Sequence, residues 1–129
     1  MSGRYLLDTS VLIRLAVEPA LIDASVRASI EAAEVRKVSI VSLWEVVLKH
    51  RIGKLPLDLA RAEAVMRACS LTPLELLPMH LLALQSLPVR ADHQDPFDHL
   101  LLAQASHEGL TLVTSDRRLH GYGIATLAA

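Results

Sequence analysis

Short strand-like runs alternate with amphipathic helical segments along the whole 129-residue chain. The strand-like runs are predicted at residues 5–7, 38–41, 71–77, 110–114 and 124–127. The helices are predicted at residues 9–15, 20–34, 42–52, 58–70, 79–87 and 95–108. Because a strand that returns to the same sheet through a helix pairs in parallel, the sequence predicts an α/β fold, a three-layer sandwich with a central, mostly parallel sheet flanked by helices.

Composition narrows the class of protein further. The length fits one domain, residues 1–129, that needs neither disulfides nor a structural metal to fold. The single cysteine, Cys69, excludes an internal disulfide and a cysteine-rich zinc module. A formal net charge of −1 argues against a protein that holds nucleic acid through bulk positive charge. No apolar run approaches the roughly 18 residues of a spanning helix, and the N-terminus lacks a signal-peptide pattern, so we expect a cytoplasmic protein without a membrane segment.

Four acidic residues fall where predicted strands end or predicted helices begin. Asp8 ends the first strand, and Asp116 follows the strand at residues 110–114. Glu45 and Asp98 lie in the first turns of two helices. Ligands of an open parallel sheet bind at the carboxyl ends of its strands, and carboxylates crowded together are usually neutralised by a divalent cation. Oxygen ligands without cysteine or clustered histidine favour Mg²⁺ or Mn²⁺.

Each of these acids also has a purely structural interpretation. Asp8 and Asp116 can cap the helical turns that follow them. Glu45 has the spacing of a capping box with Ser42, and Lys49 lies four residues further on, within reach of an ion pair. The functional interpretation therefore depends on all four acids lying near one edge of one sheet.

Asp98 is the most informative of the four. It shares a helical stripe with Leu101 and Leu102, so its carboxylate faces the apolar side of the helix, where a charge needs compensation. The alternative is that Asp98 stabilises the helix dipole beside Asp95, which has the position of an N-cap before a proline.

Four motifs in order resemble those of the PIN domain, and more narrowly those of VapC-type ribonuclease toxins of bacterial toxin–antitoxin pairs. They are LLDTSVL at residues 6–12, SLWEV at 42–46, DPFDHLLLAQA at 95–105 and LVTSD at 112–116. The resemblance extends over essentially the whole chain.

The resemblance implies an acidic quartet of Asp8, Glu45, Asp98 and Asp116 that holds Mg²⁺ or Mn²⁺. Asp98 is assigned in preference to Asp95 because it heads the helix rich in leucine and alanine. The implied activity is hydrolysis of an RNA phosphodiester by metal-activated water. The implied partners are the RNA substrate, a second copy of the chain, and a cognate antitoxin with a segment that covers the active-site groove.

Hydroxyl and basic residues surround these acids in the sequence. The hydroxyls that could orient the carboxylates from behind are Thr9, Ser10, Thr114 and Ser115. The candidates for RNA contact are Lys49, Arg51, Arg117 and Arg118. Both groups have an alternative interpretation, as turn or cap hydroxyls and as solvated surface charges. Of the six histidines, His93 is of interest because it precedes the helix that carries Asp98.

Two other classes of protein share part of this pattern. A phosphoacceptor receiver domain also has an aspartate at the end of a parallel strand, but the paired acids and the late lysine that usually accompany it are missing here. A non-catalytic PIN-like binding module would keep the fold and the acids for stability alone. The binding-module interpretation predicts no Mg²⁺ binding, whereas the nuclease interpretation predicts Mg²⁺ binding that depends on the four acids.

Overall fold

The computed structural model describes residues 3–129, whose strands form one five-stranded sheet. The strands are β1 (Arg4–Leu7), β2 (Val35–Ser39), β3 (Thr72–Leu74), β4 (Thr111–Thr114) and β5 (Thr126–Ala128). Their order is β3-β2-β1-β4-β5, and all four pairings are parallel. The predicted α/β class is therefore confirmed.

In the described part of the chain, six α-helices connect the strands and cover the sheet. They are α1 (Thr9–Val17), α2 (Ala24–Glu31), α3 (Ile40–Arg51), α4 (Leu59–Ala68), α5 (Pro78–Gln85) and α6 (Pro96–Glu108). Two 3₁₀ segments, Pro19–Leu21 and Arg117–Tyr122, complete the chain path. Over residues 3–129, no helix combines the length and apolar character needed to cross a membrane.

Side chains alternate across the sheet and build a separate core on each face. Leu6 and Leu112 are paired in register and belong to the core beneath α6. Leu7 and Val113, one residue further along each strand, belong to the core that also contains Ile22 and buried residues of α1–α4. The two cores make the sheet the middle of three layers, as predicted.

The strand order changes direction at β1. The chain proceeds from β1 outward to β3 on one side, and then crosses to β4 on the other side of β1. Such a switch point leaves a crevice at the carboxyl ends of the adjacent strands β1 and β4, which is where α/β sheets bind their ligands. Asp8 follows β1, and Asp116 lies just beyond β4. The order also differs from the 2-1-3-4-5 order of receiver domains, which removes that alternative.

The start of α3 differs from the prediction. The strand expected at residues 38–41 ends at Ser39, and the helix begins at Ile40 instead of after Ser42. Ser39 is the cap, because its hydroxyl accepts a hydrogen bond from the backbone N–H of Val41. The predicted capping box of Ser42 and Glu45 is therefore wrong, and Glu45 lies in the second turn of α3.

The helix predicted at residues 20–34 is also interrupted. Pro19–Leu21 forms a 3₁₀ turn, and Asp23 then caps α2 by accepting a hydrogen bond from the N–H of Ser25. The predicted apolar face is nevertheless buried, since Ile22, Val26 and Ile30 are at most 6% exposed. Capping by an aspartate inside the apolar repeat explains the break.

Candidate active site

The four predicted acids converge on one cavity of about 290 Å³ at the carboxyl edge of the sheet. Asp8 comes from the end of β1, Glu45 from α3, Asp98 from the first turn of α6 and Asp116 from the segment after β4. The remaining lining residues are Thr9, Ser10, Ile13, Lys49, Asp95, Ser115 and Arg118. Four elements that are distant in sequence therefore contribute carboxylates to one small volume.

Asp8 is the buried acid at the base of the cavity, with 4% of its surface exposed. Its Oδ1 accepts hydrogen bonds from the N–H of Val11 at 2.9 Å and from the hydroxyl of Ser10 at 2.8 Å. Asp8 is therefore the N-cap of α1, as its structural interpretation predicted, while it also lines the cavity. Burial raises its pKa; hydrogen bonds from Thr114, Val11 and Ser10 oppose that rise, and the charge of Glu45 adds to it.

Asp98 faces inward beside a buried histidine. The Nε2 of His93 lies 3.0 Å from Oδ2 of Asp98, and the His93 side chain is fully buried. Burial raises the pKa of Asp98 to about 6; the charge of Asp95 adds to the rise, the hydrogen bond from His93 opposes it, and Asp8 adds further. Asp95 caps α6, as predicted, by accepting from the N–H of Phe97.

Glu45 and Asp116 are each paired with a cation at the opening of the cavity. Lys49 Nζ lies 2.9 Å from Oε2 of Glu45, one turn further along α3. Arg118 binds Asp116 through two hydrogen bonds, from Nε at 3.1 Å and Nη2 at 2.9 Å. The hydrogen bond from Arg118 holds the pKa of Asp116 below its usual value, against a smaller effect of burial. Each cation is thus tied to an acid of the cavity.

The structure separates the four predicted RNA-contact residues into two pairs. Lys49 and Arg118 line the cavity. Arg51 and Arg117 are exposed and are not among its lining residues. Helical geometry explains why Lys49 lines the cavity and Arg51 does not. Lys49 is four residues after Glu45 and lies on the same face of α3, whereas Arg51 lies on another face.

Two of the four predicted hydroxyls, Ser10 and Thr114, contact a carboxylate, and Ser115 is linked to one through Ser10. Ser115 and Ser10 are hydrogen bonded at 3.0 Å, so a chain of hydroxyls leads to Asp8. The Thr114 hydroxyl contacts Asp8 and accepts from the N–H of Asp116. Thr9 is different, because it donates to Ser42 in α3 at 3.0 Å instead of to a carboxylate.

A sequence profile of the PIN domain matches residues 5–124. The chain belongs to the PIN domain family. The match includes all four acids, strands β2, β3 and β4, and all of β1 except Arg4, and it ends before β5. No curated protein sequence matches the chain at a significant level.

Several solved structures also resemble this chain over almost its full length. DNA-bound VapBC from Salmonella typhimurium superposes with a TM-score of 0.72 at 20% identity, over 98% of both chains. VapBC2 from Rickettsia felis, bound to a DNA fragment from its promoter, gives 0.70 at 13% identity, over 96% of this chain and 97% of that one. VapBC-1 from nontypeable Haemophilus influenzae gives 0.64 at 16% identity, over 96% of each chain. At these identities the likeness is one of fold.

The acid cavity of this PIN domain has the chemistry of a divalent-cation site. Oε1 of Glu45 is buried and has no hydrogen-bond partner among the described residues. Asp8 is buried and Asp98 is partly buried. In the described part of the chain, neither forms an ion pair with a lysine or an arginine. Carboxylate oxygens gathered in one cavity, one of them buried without a hydrogen-bond partner, fit Mg²⁺ or Mn²⁺.

A second group of possible ligands, His80, His107 and Glu108, lies outside the cavity. The N–H of Leu77 donates to Nδ1 of His80 at 3.0 Å, so Nδ1 carries the lone pair and Nε2 the proton. That Nε2 faces Oε2 of Glu108 at 3.7 Å. A protonated Nε2 cannot bind a cation, and His80 instead caps the start of α5.

The position of His93 is the feature of the site that was hardest to predict from the sequence. It lies in the segment before α6, which has no helical or strand periodicity from which burial could be predicted. The only signal is its closeness to DPFD at residues 95–98. In the structure its ring lies between two of the acids, with Nε2 3.8 Å from Oδ2 of Asp116 as well as 3.0 Å from Asp98.

Proposed function

We propose that this PIN domain protein is an Mg²⁺- or Mn²⁺-dependent endoribonuclease that acts in the cytoplasm as the toxin of a toxin–antitoxin pair. The observation that carries the proposal is the convergence of Asp8, Glu45, Asp98 and Asp116 on one cavity at the switch point of the sheet. The superposition on three VapBC structures supports the toxin part.

The four acids would hold one or two divalent cations. When bound, such a cation supplies activation of water for in-line attack on the phosphorus and neutralises the charge that develops on the phosphate. The protein contributes fixed ligands. Ser10 and Val11 hold one oxygen of Asp8, and His93 holds one oxygen of Asp98, so the orientation of each carboxylate is set before the cation arrives.

An apolar groove of about 480 Å³ supports the antitoxin as a partner. It is lined by Ile40, Leu43, Trp44, Val47, Leu59, Glu63, Met66, Arg67, Leu71 and Pro73. The groove lies along α3, the helix that carries Glu45, and Trp44 in it is 53% exposed. Trp44 also packs edge to face on Phe97, next to Asp98, with ring centroids 5.0 Å apart. An apolar helix or strand of the antitoxin would fill this groove beside the acids.

Growth of bacterial cells tests the toxin proposal. Induced expression of the chain should arrest growth, and co-expression of the protein encoded by an adjacent small reading frame should restore it. A Leu59→Glu variant places a charge at the rim of the groove, where Leu59 is 39% exposed. We expect it to remain toxic while binding the partner at least about tenfold more weakly, because a charge is buried without a counter-ion.

Val89→Glu is the matched control, because Val89 is 97% exposed and lies outside the groove. The partner should neutralise this variant as effectively as it neutralises the wild type. Equal neutralisation of both variants would contradict the groove as the partner site, and growth without arrest on wild-type expression would contradict the toxin proposal.

The two cations at the opening should contact the phosphate backbone of RNA. Replacing both Lys49 and Arg118 by glutamine should weaken RNA binding and reduce the salt dependence of binding, with a log–log slope smaller by about 1–2. The same change at Arg51 and Arg117 should have a smaller effect, because these two do not line the cavity. Binding is measured in an Asp8→Asn background to prevent cleavage, and equal effects of the two pairs would refute the assignment.

A second copy of the chain is also proposed as a partner. Helix α5 presents Met79, Leu81 and Leu82 with at least half of each side chain exposed, next to the exposed Leu76 and Leu77. A continuous apolar face of this kind is typical of a protein interface. A monomeric mass in solution at micromolar concentration would contradict the homodimer.

A further inference from the structure

The ring of His93 lies against two of the four carboxylates of the acid cavity. Its side chain is fully buried. Nε2 lies 3.0 Å from Oδ2 of Asp98 and 3.8 Å from Oδ2 of Asp116. We propose that His93 is a positioning residue, whose Nε2–H holds Asp98 in the orientation in which its other oxygen faces the cation. This inference rests on the proposed metal-dependent function.

The surroundings of the ring determine which nitrogen carries the proton. An ionised carboxylate only accepts hydrogen bonds, so the Nε2 that faces Asp98 and Asp116 must be the donor. Nδ1 of His93 is buried and has no partner among the described residues. A proton on Nδ1 would be a buried donor without an acceptor, which is destabilising. The neutral ring with its proton on Nε2 therefore fits the site.

This tautomer decides between two roles for His93. The ring atoms of His93 and the oxygens of Asp98 and Asp116 are close enough together to hold a metal ion. A cation ligand at Nε2 would need the lone pair of that nitrogen and would move the proton to the unpartnered Nδ1. His93 is therefore a donor to the acids and not a fifth ligand. The result is a histidine–carboxylate pair in which the carboxylate, not the ring, faces the cation.

Aromatic packing prevents the ring from turning away from Asp98. His93 packs edge to face on His99, with centroids 5.2 Å apart, and lies 6.2 Å from Tyr122. His99 is itself fixed by a 3.1 Å hydrogen bond to the Tyr122 hydroxyl. Within residues 3–129, Oδ1 of Asp98 makes no hydrogen bond, and this is the oxygen left for a cation. Hydrogen bonds of this kind to ligands typically change metal affinity by about 10–100-fold.

Two substitutions separate the donor role from simple packing. His93→Leu keeps an apolar side chain in the buried space but removes the donor. His93→Gln restores an N–H donor at similar reach. We expect Mn²⁺ binding, measured by calorimetry, to weaken about 10–100-fold in His93→Leu and to recover most of that loss in His93→Gln. His107→Gln is the control, because His107 pairs with Glu108 and with none of the four acids, and it should bind like the wild type.

The tautomer is measured separately on the wild type, which needs no variant to fold. Long-range ¹H–¹⁵N spectra of histidine-labelled protein should show His93 protonated on Nε2, both without metal and with Mg²⁺. Loss of that proton on adding Mg²⁺ would identify His93 as a ligand and overturn the inference. Equal Mn²⁺ affinity of His93→Leu and the wild type would also overturn it. A wild type that binds no Mn²⁺ would overturn the proposed function together with this inference.

Discussion

An Asp98→Asn variant should bind Mn²⁺ on the order of 100-fold more weakly than the wild type, while its metal-free form unfolds at the same temperature or a higher one. The first effect follows because Asp98 is a proposed ligand. Removing a ligand should weaken metal binding at least as much as removing a residue that only hydrogen bonds to a ligand. The second follows because burial and the charges of Asp95 and Asp8 disfavour the ionised Asp98. Asparagine keeps an oxygen that accepts from His93.

The stability difference should depend on pH in a defined direction. The pKa of Asp98 is raised from 3.8 to about 6 in the folded protein, so the folded state keeps a proton that the unfolded chain has already released. The stability that this proton contributes is present at low pH and is lost as pH rises through about 6. The gain of Asp98→Asn over the wild type should therefore be on the order of 1 kcal/mol above pH 6, since partial exposure screens the charge, and vanish below about pH 4.

Asp95→Asn is the matched control for Asp98→Asn. It removes the same charge from the same cavity, and asparagine caps a helix as well as aspartate does. We expect its Mn²⁺ affinity to stay within about tenfold of the wild type. A larger loss in Asp95→Asn than in Asp98→Asn, measured by calorimetry at pH 7.5, would exchange the roles assigned to the two residues.

An Asp8→Asn variant should lose on the order of 1000-fold in RNA cleavage rate while remaining folded. Asparagine can accept the same hydrogen bonds from Val11 and Ser10 and can cap α1 in the same way. It cannot supply the negative charge that holds a divalent cation. A cation contributes several kcal/mol of transition-state stabilisation, and about 1.4 kcal/mol corresponds to a tenfold change in rate.

Asp23→Asn controls for the loss of an N-cap carboxylate. Asp23 caps α2 as Asp8 caps α1, but it lies outside the cavity. Single-turnover cleavage by this variant should match the wild type. If Asp8→Asn retained a tenth or more of the wild-type rate under the same conditions, Asp8 would be a helix cap without a catalytic role.

The alternation of strands and helices was sufficient to predict the layers of the fold, because local patterns of hydrophobic residues record which face is buried. The acids at the ends of β1 and β4 followed from the same pattern. Which strands lie side by side is a long-range property, and placing β1 between β2 and β4 required the structure. That placement is what brings Asp8 and Asp116 to one crevice.

Residues whose role depends on tertiary contacts were predicted less well. Ser39 and Ser42 both have the chemistry of a cap, but Ser39 caps α3, whereas Ser42 lies within the helix and accepts a hydrogen bond from Thr9, 33 residues away. Arg117 and Arg118 are neighbours in sequence, and only the second folds back onto Asp116. The burial of His93 arises from packing of an irregular segment against Tyr122, which no local pattern encodes.

Cleavage of a mixed, structured RNA by the purified protein tests the central claim most directly. The protein is assayed with Mn²⁺ or Mg²⁺ and with EDTA, beside Asp8→Asn and Asp23→Asn purified in the same way, so that contaminating ribonucleases are visible. The account predicts cleavage by the wild type and Asp23→Asn that requires the metal and disappears in Asp8→Asn. Absence of metal-dependent cleavage by the wild type, together with no Mn²⁺ binding by calorimetry, would contradict it and leave a PIN fold that serves as a binding module.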